Sequence, residues 1–523
     1  MTIENTDVLL VNRGSTSHQI KYENLKTNIT DSVEQFPEAP EDGKQYGRKD
    51  GTWTEVVHTP PYTNSDVDSH LNTASANSDQ VLSWSGSDYE WKNPPTGGGG
   101  GGGTTDPNFI QYTYPTGQQR TLQHRLEDYV SVKDFGAVGD GVADDTVAIA
   151  AAMRNTFSKS IYFPSGNYNV TESIEIDTAL TIFGDGMAST IYYRPTVEEH
   201  INKACLRFRV DLGEFQEEDY FELHNIQILC GYNQTCAGGV ALIDGGDGPI
   251  TGPFNKLIID NVTIGAEWLP GLGTSGYFVK GLFIANVGGV TASNLTIQTS
   301  IVGDPPNSSR ENPDAAGITI VSSKGRATIR AFQCTNFYIQ DYYTAMNVTS
   351  PNGSIESVYM SHGEVKGRQG FIFGQCSATY LAGIHFDTWR EAIAHNGDGG
   401  VHRIIGCDIR ADDAQPWDGF LVSLNANQII FANNFIDSGG VNGARGGLIA
   451  CNRVSPLVNE NISITDNIMH GGFSSNYLAL LVQSGTKNIT FGGNTFYDFG
   501  GNNEPWANLA GNELYIYGQR GYN

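Results

Sequence analysis

The chain has 523 residues, 39% of them apolar, and its 31 Lys and Arg against 57 Asp and Glu give a formal charge of −26. A chain this long and this apolar can bury a sizeable core, which excludes a disordered protein. The acidic excess lies on both sides of residue 130 and repels phosphate backbones, so no nucleic-acid partner is expected.

The first residues, "MTIENTDVLLVNRGSTSHQ", lack the basic start and apolar stretch of a secretory signal. No run of about 18 apolar residues occurs later, so no membrane insertion is expected. Residues 1–60 hold the strand-like "VLLVN", a turn at Arg13-Gly14-Ser15 and the turn-rich "YGRKDGTWTEVV" around Trp53. Residues 61–106 are polar and end in "NPPTGGGGGGGTTDP". The run Gly97 to Gly103 cannot pack a core and loses the most entropy on ordering, so a flexible joint is predicted here. No Lys-Ser/Thr follows it and no strand precedes it, which argues against a phosphate loop.

Residues 107–175 read as a neck and cap. In "DFGAVGDGVADDTVAIAAAM", Asp144 or Asp145 can cap a helix start, and Ile149, Ala152, Met153 and Phe157 fall on one apolar face. The spacing predicts a capped helix of about 12 residues lying across the open end of a stack. The acidic residues miss the calcium-loop positions, and no metal is expected. "IYFPSGNYNV" then reads as strand, turn, strand.

Residues 176–505 repeat. "HNIQIL", "DNVTIG", "SNLTIQ" and "TNFYIQ" share a turn-forming residue, an Asn and an alternating strand. "ANNFIDSGG", "TDNIMHGG" and "GGNTFYDFGG" superpose on Asn434, Asn467 and Asn494. Intervals of about 20 to 40 residues fit a solenoid with one coil per repeat, and short alternating strands between Gly, Asn and Asp exclude helical repeats. The predicted fold is an all-β parallel β-helix, with Ile, Leu, Val and Phe facing inward and Asn side chains bonding along the stack. Residues 506–523 form a C-terminal segment. The seven cysteines show no Cys-x-x-Cys pair and read as reduced and interior.

"VSVKDFGAVGDGVADDTVAIAAAM" followed by "IYFPSGNYNV" resembles the N-terminal signature of the pectate-lyase-like β-helix superfamily, common in bacteriophage tailspikes, over about residues 129 to 175. "VLLVNRGSTSHQIKYENLK", "YGRKDGTWTEV" and "SDVDSHLNTASANSDQVLSWSGSDYEWKN" resemble N-terminal segments of cyanobacterial phage virion proteins. The resemblance implies a right-handed parallel β-helix in a virion tail, mounted on other tail proteins through residues 1–60. It also implies a homotrimer that binds, and in catalytic members degrades, a host-surface glycan, with no cofactor. A non-catalytic adhesin or a structural tail fibre is the alternative.

Glycoside hydrolysis needs one protonated carboxyl and one carboxylate. The densest acidic region is "GIHFDTWREAIAHNGDGG" with "GCDIRADDAQPWDG". A shift of 21 residues sets Asp387 over Asp408 and Glu391 over Asp412, about one strand spacing apart. Trp389 and Trp417 offer flat faces to sugar C–H groups, and His395 and Arg410 can orient hydroxyls or carboxylates. Asp at turns also bonds its own backbone, so solvated edges are the plainer reading. A second group comprises Glu267, Trp268, Asp304, Glu311 and Asp314. A calcium-dependent lyase route would call on Asp408, Asp412, Asp413 and Arg410.

Overall fold

The computed structural model describes the strand pairs 8–13/16–21, 46–49/52–55 and 80–84/89–92, residues 111–113, and from 119 to 522 the coils of the stack. The connections 197–202, 211–219, 245–256, 268–275, 300–308, 324–327, 397–399, 412–418, 440–445, 452–459, 472–476, 500–504 and 509–512, with a few shorter gaps, lie outside that description. The Gly97–Gly103 run lies outside it too. The chain divides into two compact units, Met1–Asp106 and Pro107–Asn523.

In the first unit Val8–Arg13 pairs antiparallel with Thr16–Lys21, Tyr46–Lys49 with Thr52–Glu55, and Val81–Trp84 with Tyr89–Lys92. The second unit is built on one sheet of 32 strands in which each strand pairs in parallel with its counterparts in the coils before and after. Leu257–Ala266, for example, lies between Phe221–Cys230 and Gly289–Gln298. This is a right-handed parallel β-helix, the hand that parallel crossovers take.

The burial pattern explains the fold. Along Phe221–Cys230, Phe221, Leu223, Ile226, Ile228 and Cys230 are buried, and the residues between them face outward. The pattern recurs at Leu257–Ala266 and Gly289–Gln298, so aliphatic residues stack on aliphatic residues through the axis. Each such side chain contributes about 1.5–3 kcal/mol relative to exposure. All seven cysteines are buried and unbridged.

The cap differs from expectation in length. Helix α1, Thr146–Met153, has 8 residues because the Asn155 side-chain amide bonds the Ala152 carbonyl and closes the last turn. Ile149, Ala152 and Met153 are buried as predicted, and Phe157 lies outside the described residues. The two aspartates divide the work. Asp144 accepts the Thr146 backbone N–H at 3.0 Å. Asp145 turns away from the helix and accepts Val138 N–H at 2.6 Å, Gly139 N–H at 3.2 Å and Asn169 N–H at 3.3 Å. That buried carboxylate therefore ties the Gly-rich loop to the first coil.

Candidate functional site

From Asn225 to Gly518, one corner of each coil is made the same way among the described residues. Asn225, Asn261, Asn294, Asn336, His362, Gly383, Gly406, Asn433, Asp466, Gly493 and Gly518 all have φ between 51° and 66°, and the strand registers place them above one another. Only Gly, Asn, Asp and a few others take this left-handed conformation cheaply. Each corner begins a five-residue pattern: corner, core, surface, core, surface. Asn261 Nδ2 donates to Asn225 Oδ1 at 2.8 Å and Asn336 Nδ2 to Asn294 Oδ1, while Asn294 Nδ2 turns to Asp260 Oδ1 at 2.8 Å, so the outer amides bond in pairs.

The second set of asparagines lies one residue later and faces inward. Asn434, Asn467 and Asn494 are buried. Asn434 Nδ2 donates to Asn467 Oδ1 and Asn467 Nδ2 to Asn494 Oδ1, both at 3.0 Å. In the earlier coils Ile226, Val262, Leu295 and Phe337 hold this inner position. The two groups of sequence repeats are thus two distinct ladders, one outside the corner and one inside it.

The outer row of asparagines stops at His362. Gly383 and Gly406 follow with no side chain. Gly363 takes the inner position, where a Cβ would stand 2.3 Å from Phe337 Cζ, so the Phe337 ring fills that place. The gap is a recess of about 690 Å³ floored by Phe337 and bordered by Asn336, Tyr338, His362, Glu364 and His385.

From the recess an ionic face runs along the stack. Two residues after the corner come Glu364, His385, Asp408 and Phe435 in successive coils; four residues after it come Lys366, Asp387, Arg410, Asp437 and His470. Acidic and basic groups alternate both along and across the coils. Lys366 Nζ lies 2.6 Å from Glu364 Oε1, His385 Nδ1 3.0 Å from Asp408 Oδ2, and Arg410 Nε 2.9 Å from Asp408 Oδ1. The hydrogen bond to Glu364 holds Lys366 above its ordinary pKa, and that to Asp408 does the same for Arg410. Arg410 also stacks over the Phe435 ring at 5.4 Å.

The predicted residues separate accordingly. The strand register is 23 residues, which puts Asp387 beside Arg410 and His385 beside Asp408. The shift of 21 that sets Asp387 over Asp408 is corrected, because the glycine corners, not the aspartates, align. Asp387 and Asp408 become diagonal neighbours, about 7–8 Å apart. His395 is wholly buried: its ring stacks on Phe373 at 4.8 Å between centroids, and Nε2 lies 3.0 Å from Thr379 Oγ1. It faces the core and cannot touch a sugar. Glu391 and half-buried Trp389 occupy the tight corner after Asp387. Burial pushes the Glu391 carboxyl up, against a hydrogen bond from Ser423. Asp412, Asp413, Trp417, Trp268 and Asp304 lie outside the described residues. Glu267 and Glu311 are held in separate ion pairs, with Arg194 at 2.7 Å and Arg368 at 2.7 Å. Among the described residues no group of three or more His, Cys, Asp or Glu can hold a metal ion.

Sequence reading missed Glu364, Lys366, His385, Asp437 and His470. The signal for them is the pattern itself: "HGEVK", "GIHFD", "GCDIR", "NNFID" and "DNIMH" align on the corner residue.

The end of the ionic face is pH-sensitive. His470 Nε2 lies 2.7 Å from Asp498 Oδ2 and Nδ1 3.0 Å from Asp437 Oδ1. Burial opposes its charge, but the bonds to Asp498 and Asp437 outweigh it, and the pKa is raised. The folded state therefore binds the proton more tightly. The resulting stability is complete below the unfolded value of about 6.5 and disappears as pH rises through the raised folded value. For this half-exposed cluster it stays below about 1 kcal/mol. Urea unfolding of wild type and His470→Gln at acid and alkaline pH should give a difference in midpoint that shrinks as pH rises; a difference that is constant with pH contradicts the assignment.

Comparisons with known proteins place the likeness at the start of the stack. The family described as rhamnogalacturonase A/epimerase, pectate lyase-like, matches residues 129–202. Mannuronan C5-epimerase AlgE5 of Azotobacter vinelandii is 42% identical over 74 residues, 12% of this chain and 7% of that protein. The plasmin and fibronectin-binding protein A of Streptococcus pneumoniae is 43% identical over 60 residues, 10% of this chain and 8% of that protein. The chain thus spans under a tenth of the length of these relatives. Among solved structures, the AlgE6 epimerase A-module of Azotobacter vinelandii aligns with TM-score 0.46 and 15% identity over 75% of this chain and 99% of that one. Bacteriophage CBA120 tailspike protein 3 aligns with TM-score 0.41 and 13% identity over 100% and 82%. The family match covers the cap and first coils of the β-helix, and the recess and the ionic face lie beyond it.

Proposed function

We propose that this chain is a phage tailspike that binds a host-surface polysaccharide in the recess and along the ionic face. The single observation that carries the reading is the end of the outer asparagines at His362 and Gly383, beside which lies a recess of about 690 Å³ within the size range of ligand pockets. Its lining suits a sugar. Tyr338 and Phe337 offer apolar ring surface, while Asn336, His362, Glu364 and His385 offer donors and acceptors to hydroxyls. On the other side of the corner Tyr359 and Tyr380 stand exposed with ring centroids 6.5 Å apart, a further surface for sugar C–H groups. In this reading the first unit, Met1–Asp106, attaches the spike to other tail proteins and the spike assembles as a homotrimer. The resemblance of the segments in residues 1–60 to virion proteins supports the first, and that of the cap to tailspikes supports the second.

The test uses the stack's own corner residue. Asn tolerates the Gly383 φ of 61°, as it does at four earlier coils, so Gly383→Asn preserves the fold while its side chain enters the recess. Wild type is expected to bind at least one polysaccharide on an array of purified bacterial surface glycans, and Gly383→Asn to bind it at least tenfold more weakly at an unchanged unfolding midpoint. Equal binding by the variant, or no binding by wild type, defeats the reading.

A second reading, glycoside hydrolysis, is favoured by one observation. Burial raises the pKa of the Glu391 carboxyl, and Asp387, four residues earlier, is in register with Lys366 on one side and Arg410 on the other. Two carboxyls in environments that differ in this sense are what acid/base division of labour calls for.

A further inference from the structure

Cys230 ends the strand Phe221–Cys230 and Cys236 is the second residue of Thr235–Ile243; only the corner Gly231–Gln234 and Thr235 separate them. Their sulfurs are 2.9 Å apart, nearer than two sulfur atoms sit in ordinary contact and farther than the roughly 2.05 Å of a disulfide. Both side chains are buried. Cys230 Sγ lies 3.3 Å from the Gln234 carbonyl and 3.4 Å from that of Tyr277, and Cys236 Sγ 3.6 Å from that of Tyr193. The two thiols are thus aimed at each other and fixed from three sides. We propose that Cys230 and Cys236 form a site of reversible disulfide formation across this corner.

The chemistry balances with a small-molecule disulfide such as oxidised glutathione. One cysteine thiolate attacks it, forming a mixed disulfide and expelling one glutathione thiolate, and the second cysteine displaces the other. The protein loses two protons and two electrons, and the oxidant becomes two thiols. Four of the five remaining cysteines are held as thiols. Burial pushes Cys334, Cys376 and Cys451 up to about 12 and Cys407 to about 11, which leaves little thiolate. Closing the bond clamps a corner that already joins coils. The Tyr232 N–H donates to Glu267 Oε2 at 2.9 Å, and Glu267 Oε1 holds Arg194 at 2.7 Å.

The full chain is equilibrated in mixtures of reduced and oxidised glutathione, both folded and by refolding from urea into the same mixtures so that burial does not shield the sulfurs. It is then alkylated under denaturing conditions and digested with chymotrypsin, which cuts after Tyr232 between the two cysteines. In oxidising mixtures the Cys230 and Cys236 peptides should stay linked until reduced, with five of the seven thiols alkylated, seven minus the bridged two. In reducing mixtures all seven should be alkylated, and Cys236→Ser should show no link under any condition. Alkylation of both sulfurs in every mixture, folded and refolded alike, overturns the proposal. So does a Cys230 linked to another partner.

Discussion

Asn467→Ala is expected to lower the unfolding free energy of the β-helix by about 3–5 kcal/mol, among the largest costs of any single side-chain truncation in the chain. Asn467 is buried and makes four side-chain bonds. Its Oδ1 accepts the Asn434 backbone N–H at 2.9 Å and Asn434 Nδ2 at 3.0 Å; its Nδ2 donates to the Phe431 carbonyl at 3.1 Å and to Asn494 Oδ1 at 3.0 Å. Truncation strands the Asn434 N–H and the Phe431 carbonyl with no water to replace the lost partner, and each buried orphan costs about 1–3 kcal/mol. A separate exposed asparagine pair, Asn461 and Asn488, at another left-handed corner of the same coils provides the comparison. Asn488 is exposed, with φ 52° and one amide bond to Asn461 at 3.1 Å, so Asn488→Ala should cost about 1–2 kcal/mol, mostly left-handed strain. Denaturant midpoints of the two variants decide the matter. Equal losses would mean that the inner ladder adds nothing beyond its backbone bonds.

On the hydrolytic reading, Glu391→Gln is expected to reduce oligosaccharide release by about 10²–10⁴-fold, the share that a positioned general acid supplies, with polysaccharide binding unchanged. Asp387→Asn should show the same loss. The pH dependence follows from the raised pKa of the buried carboxyl. The acid form persists to higher pH than for an exposed glutamate, and the rate falls as pH passes the raised value. Chromatography of products from the polysaccharide that wild type binds is the measurement. Unchanged release by Glu391→Gln removes hydrolysis at this corner. Binding without any release by wild type leaves the chain an adhesin.

Much of the fold was legible because a solenoid writes its structure into periodic residues. Asn434, Asn467 and Asn494 could be superposed from sequence since each must present the same amide to the same backbone groups once per coil. The earlier fragments were legible for a different reason: Asn225, Asn261, Asn294 and Asn336 occupy a left-handed corner that few residues tolerate. Merging the two sets was natural, since both are asparagines beside strands, and only the neighbouring core residue tells them apart. The register of the acidic region was misread for a related cause. Asp387 and Asp408 look equivalent by residue type, but the corner is held at those coils by Gly383 and Gly406, which carry no side chain to mark the alignment. His395 was expected at the surface because a polar residue near a turn usually lies there. It is buried instead with Thr379 and His402, and the His395 and His402 ring centroids are 4.0 Å apart, a contact between coils that no local spacing announces. Glu364, Lys366 and His385 come together only through stacking.

The left-handed corner also governs how such a shaft can change its reach. Because the same left-handed corner recurs in each coil from Gly406 to Gly518, duplicating or losing a whole turn there leaves every remaining corner stacked on one of its own kind. Each such event changes the length of the stack by roughly 4.8 Å, so length changes in fixed steps while the recess, whose lining ends at His385, is left untouched.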